Sequence, residues 1–85
     1  MSRHHHSFVD EYNGFVGFGM DRKTDEASLV VYLQKFSDDD LMKALKERLT
    51  DGEINEVVDL IHRLMHNHFK EEEYHQLFLK DDHGH

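Results

Sequence analysis

The chain contains no cysteine, no proline and no tryptophan. Without cysteine, no disulfide can support a fold of 85 residues, a length at which one small core is marginal. That absence is compatible with a reducing compartment. Without proline, nothing of that kind interrupts a helix. Long apolar runs are missing too. The longest, Leu29 to Leu33, falls far short of the roughly 20 residues of a membrane helix. Asp10 and Glu11 break the start of the chain before any apolar run develops. No targeting segment is therefore expected, and a cytoplasmic location follows by default.

Clustered positive charge is also lacking. Ten Lys and Arg residues are scattered among eighteen Asp and Glu, for a net charge of −8. Nucleic-acid binders neutralise phosphates with clustered bases, so neither a nucleic acid nor a membrane is expected as partner. Acidic runs at Asp38–Asp40, Glu71–Glu73 and Asp81–Asp82 serve solubility first and a basic partner second. Nine histidines titrate near pH 6.5, enough to cancel the net charge in mild acid.

What is present reads as helix. The length allows a single helical domain over residues 1–85, with residues 1–6 and 81–85 expected as mobile tails. His4, His5 and His6 belong to the first tail and are set aside from site arguments. Thr24, Ser37 and Thr50 recur 13 residues apart. Thr24 and Ser37 precede acids suited to a helix start, and Thr50 precedes Glu53 at capping-box spacing. The third helix carries Ile54, Val57, Val58, Ile61, Leu64, Met65, His68 and Phe69 at three- and four-residue steps. The second carries Leu41, Ala44, Leu45 and Leu49 in the same way. The first, "EASLVVYLQKF", is apolar almost all round and predicts a buried central helix, or one shared with another subunit. Ahead of it, "SFVDEYNGFVGFGM" predicts a helix from about Ser7 to Gly14 or somewhat beyond, then an irregular aromatic arm softened by glycines. After Phe69 the apolar phase slips, which predicts a break and a short helix from Glu71 to Leu79. The expected fold is all-α, a small bundle of four or five short helices.

Chemistry concentrates in "DLIHRLMHNHF". Asp59, His62 and His66 stand at i, i+3 and i+7 and share a helix stripe, with Glu73 below if the helix runs on. A carboxylate and two imidazoles suit Zn, Ni or Fe with open positions for water. The "DLIH" spacing resembles the carboxylate-x-x-His motif of carboxylate-bridged di-iron bundles, in one copy where those bundles have two. The simpler expectation is a solvated pair of histidines and no cofactor. His68 falls on the apolar face and is expected as a core imidazole bonded to a carbonyl. No catalytic residue is assigned, and no enzyme is expected. There is no cysteine nucleophile, and Ser7 and Ser37 are accounted for as caps.

Most of the nine aromatics, six Phe and three Tyr, are expected in the core, and the N-terminal group is the exception, because an arm softened by glycines finds too little core in so short a chain. Phe8, Tyr12, Phe15, Phe18 and Met20 form the candidate interface. The leading expectation is a small, acidic, non-enzymatic protein-interaction module that self-associates as a homodimer or binds another protein. The alternative is a metal-binding protein using the histidine stripe.

Overall fold

The computed structural model describes residues 6–80, so the expectation of mobile ends at residues 1–5 and 81–85 lies outside the described residues. The fold is all-α, with five short helices and no strand among the described residues. In chain order these are α1 (Phe8–Glu11), α2 (Arg22–Phe36), α3 (Asp39–Leu45), α4 (Asp51–His68) and α5 (Glu71–Glu73). The last continues as a π-helical turn over Tyr74–Leu79. No helix among the described residues is long and apolar enough to cross a membrane. The described residues fall into two compact units, 6–48 and 49–80.

In the first unit α2 is the element on which α1 and α3 pack. Its start is set by Asp21, whose carboxylate accepts the Thr24 N–H at 2.9 Å and the Thr24 hydroxyl at 3.1 Å. The cap is therefore Asp21 and not Thr24, to which the sequence pattern points. A charged acceptor three residues earlier is stronger than a hydroxyl, and it turns Thr24 into the donor. The cap of α3 is likewise a carboxylate, one residue later than expected. Asp38, not Ser37, accepts the Asp40 N–H at 3.0 Å. Ser37 instead closes α2, its N–H donating to the Leu33 carbonyl at 2.9 Å.

The N-terminal helix is one turn long rather than reaching Gly14, because Tyr12 is already extended. Ser7 contributes its carbonyl, which accepts the Asp10 and Glu11 N–H groups at 3.1 Å. Its side chain makes no capping bond. From Tyr12 the irregular arm runs back along α2. The Val9 N–H donates to Gln34 Oε1 at 2.9 Å, and the Gly17 N–H donates to Ser28 Oγ at 2.9 Å. Phe18 meets the Tyr32 ring edge-on at 5.0 Å. Gly19 adopts φ +88°, a conformation that costs any residue with a Cβ. Its N–H donates to Asp25 Oδ1 at 3.0 Å.

These contacts bury one stripe of α2. Ser28 (0% exposed) and Val31 (4%), one turn apart, are the two buried residues among those described. Leu29, Val30, Tyr32, Leu33 and Phe36 remain exposed, which corrects the expectation of a helix buried at the centre of its own chain and leaves the alternative, one shared with another subunit, untested. A single-turn helix and a short arm cannot wrap a 15-residue cylinder. Ser28 lies inside α2, its hydroxyl committed to the arm.

In the second unit α4 opens with the capping box that its sequence announces. The Glu53 N–H donates to Thr50 Oγ1 at 3.1 Å, and the Thr50 N–H donates to Glu53 Oε1 at 2.9 Å. The helix ends at His68, and Phe69 and Lys70 are extended. The chain then restarts at Glu71, with the Lys70 N–H held by Glu73 Oε1 at 2.9 Å. The predicted break and the short helix to Leu79 are therefore both present. The π-helical turn ends at Lys80, whose φ of 57° is left-handed and places the stop there. Within α4 every residue is exposed except Met65, which is half-buried.

Two outcomes follow from this capping. Thr50→Ala removes half of the box and is expected to lower the stability of α4 by about 1 kcal/mol, measurable by thermal melting followed in the far ultraviolet. The Asp21 carboxyl is held below its ordinary value, first by the Thr24 N–H and then by the Thr24 hydroxyl. Its contribution is thus present above the unfolded carboxyl value and lost as pH falls through the lower folded one. The Thr24 amide resonance should move as pH drops below about 4. In Asp21→Asn, which keeps an acceptor without the charge, that movement should vanish.

Candidate functional site

The last turns of α4 and the start of α5 form an open cleft of about 280 Å³. His62, Met65 and His66 line it from α4, Phe69 and Lys70 from the break, and Glu71 and Tyr74 from the restarted helix. The break creates the cleft. An unbroken helix would carry residues 71–74 onward along one axis, whereas two extended residues let Tyr74 come alongside His62 and His66. The Tyr74 ring stacks on Phe78 at 5.4 Å. His75 lies 3.8 Å from Glu71.

Of the four residues proposed for a metal, His62 and His66 line this cleft, and Asp59 and Glu73 do not. Among the described residues no three His, Asp or Glu side chains gather closely enough to hold an ion. The helix itself explains Asp59. Seven residues rise about 10.5 Å, too far for Asp59 and His66 to meet at one ion with ligand distances of about 2 Å. Glu73 is committed elsewhere, to the Lys70 N–H. What remains is two imidazoles one turn apart, with the Glu71 carboxylate on the opposite wall.

His68 is exposed, contrary to the core role read from its phase. Its face of α4 is apolar, but nothing among the described residues buries that face. The candidate interface residues divide. Phe8 stacks on Tyr12 at 5.3 Å, Tyr12 is half-buried, and its hydroxyl donates to the Phe15 carbonyl at 2.8 Å. Phe15, Phe18 and Met20 are at least half exposed.

Two features escaped the sequence reading. His6, set aside with the tail, places Nε2 2.8 Å from Ser37 Oγ. A serine–histidine contact is the opening element of a nucleophilic site, but it works only when desolvated and oriented by a third group. This one is exposed, and neither residue lines a described cleft. It ties the residue that closes α2 to the segment leading into α1. The second feature is a cleft of about 380 Å³ lined by Val9, Asp10, Gln34, Lys35, Asp38 and Leu41. It arises because α1 is only one turn long, and no motif marks it in the sequence.

No family model, no curated protein and no solved structure matches this chain.

A pair of histidines at i, i+4 can share one divalent ion and leave its other positions to water. Ni²⁺ or Zn²⁺ titrated into the protein is expected to shift the His62 and His66 ring resonances together. His62→Ala should weaken that response by about tenfold or more, whereas Glu73→Gln should leave it unchanged. Resolved ring resonances separate this pair from the histidines near the start of the chain.

Proposed function

We propose that the chain is a small, acidic, non-enzymatic protein-interaction module that works in the cytoplasm and self-associates. One observation carries the proposal. Among the described residues a single apolar side chain, Val31, is buried, while large apolar side chains lie exposed on the arm, on α2, on α4 and at the C-terminal turn. A monomer that leaves so much apolar surface in water forgoes the main driving force of folding. A protein surface laid over it supplies that term. The many carboxylates keep the free chain soluble until the partner arrives.

A second reading, metal binding, is favoured by the cleft itself, which brings His62 and His66 together beside Glu71. It needs further ligands from water or from another chain, since among the described residues no group of three His, Asp or Glu is placed to hold an ion. The two readings are compatible, because an ion held by two imidazoles has positions left for a partner.

Sedimentation at micromolar concentrations, run beside an apolar fluorescent dye, tests the leading reading. The expected result is a species heavier than 10.1 kDa, or strong dye binding by the free chain. A strictly monomeric species that binds no dye would be evidence against it.

A further inference from the structure

Three asparagines occur in the chain, Asn13, Asn55 and Asn67. Asn55 and Asn67 lie within α4, where the N–H of the next residue is spent on the helix ladder. Each is followed by a long or bulky side chain, Glu56 and His68. Asn13 differs on both counts. It stands in the irregular arm, exposed, and is followed by Gly14 at a bend of the chain. Among the described residues neither the Asn13 side chain nor the Gly14 N–H makes a hydrogen bond.

The glycine is required where it stands. The Tyr12 hydroxyl donates to the Phe15 carbonyl at 2.8 Å, and a Cβ at Gly14 would run into the Tyr12 ring and hydroxyl. The bracket that shapes the arm therefore also leaves the Gly14 nitrogen with no side chain beside it. An unshielded, unbonded amide next to an asparagine can act as a nucleophile. The Gly14 nitrogen attacks the carbonyl carbon of the Asn13 side chain and closes a five-membered imide. The bond from that carbon to the side-chain nitrogen breaks, and ammonia leaves carrying the former Gly14 amide proton. Water then opens the ring. Opening at the side-chain carbonyl gives aspartate, and opening at the main-chain carbonyl gives isoaspartate. One water is consumed and one ammonia released, with no oxidant or reductant. Closing the ring also needs rotation about the asparagine main chain, which the ladder of α4 prevents at Asn55 and Asn67.

We propose that Asn13–Gly14 is a self-modifying site that converts to isoaspartate with water as the only co-reactant, and that the conversion releases the arm from α2. Isoaspartate routes the main chain through the side-chain carbon, lengthening it by one carbon–carbon bond of about 1.5 Å. The Tyr12–Phe15 hydrogen bond spans that link, so its two ends lose register. The contacts that follow along the arm, Gly17 on Ser28 and Phe18 on Tyr32, depend on the same register. The product also carries a carboxylate where a neutral amide stood, adding one negative charge to the net −8. That charge falls on the segment bearing the exposed Phe15, Phe18 and Met20. One slow chemical step thus alters both the cover over Ser28 and the apolar character of the arm.

The test uses the full chain, held for several weeks at neutral pH and body temperature in heavy-oxygen water. The peptide carrying Asn13 should lose its amide nitrogen and take up one heavy oxygen. It should split into two products, of which the isoaspartyl one resists an aspartate-specific protease. Peptides carrying Asn55 and Asn67 should stay unchanged. The rate should lie within about tenfold of that in a free peptide of the same sequence, since nothing holds the Gly14 amide. Asn13→Gln, at an exposed side chain without a hydrogen bond, should fold as before and abolish the conversion. Once chromatography has isolated the isoaspartyl form, its Gly17 amide, which donates to Ser28 Oγ in the unmodified chain, should exchange with deuterium about tenfold faster or more. Freshly made Asn13→Asp adds the charge without the extra bond and should keep the slower exchange. No conversion at Asn13, or conversion no faster than at Asn55 and Asn67, overturns the site. A Gly17 amide that isoaspartate leaves unchanged, or that Asn13→Asp loosens equally, overturns the release of the arm.

Discussion

The shortage of covering mass is the constraint on which this structure depends. Each unit has one long helix and little to lay over it. In the first, a one-turn helix and an arm conceal a single stripe of α2, represented by Ser28 and Val31. In the second, the restarted helix meets only the last turns of α4. Burial therefore cannot be what sets the ends of the helices. Side-chain acceptors near the chain do that work: Asp21, Asp38, the Thr50–Glu53 box, and Glu73 at the restart. Each satisfies an amide that would otherwise lack a partner in the first turn. These interactions need no tertiary neighbour, so the helices persist where the core is thin.

The same shortage links structure to function. A helix long enough to pack and left uncovered is a surface in search of a partner. The histidine cleft is a by-product of the break at Phe69 and Lys70. That break turns a linear stripe of ionisable residues into a short concave surface, bringing Glu71 and Tyr74 within reach of His62 and His66 and leaving Asp59 behind.

Periodicity and capping chemistry were legible because both are local. The capping box at Thr50, the apolar phase of α4, the break after Phe69 and the short segment to Leu79 can each be read from a dozen residues or fewer. The displaced caps show the limit of that reading. Thr24 and Ser37 are good caps in isolation, but a carboxylate stood close by in each case, and the stronger acceptor won. Ser37 had a second claim on it, since α2 needed closing. The candidate site was legible as residue types and only half legible as geometry. Helical phase placed His62 and His66 together correctly. It also suggested Asp59, because phase records angle around the axis and not rise along it.

By itself the sequence determined an all-helical chain, the start of its longest helix at Thr50, the break that ends it after Phe69, and an apolar stripe along it. All of these follow from interactions reaching no more than a few residues along the chain. Tertiary structure decided which surfaces are covered. It put Ser28 under the arm, left His68 in water although its phase points to a core, set His6 on Ser37, and folded Tyr74 back beside the histidines. These outcomes depend on how much chain is available to lie over each face, a quantity set by the packing of distant segments and not by the pattern of any one of them.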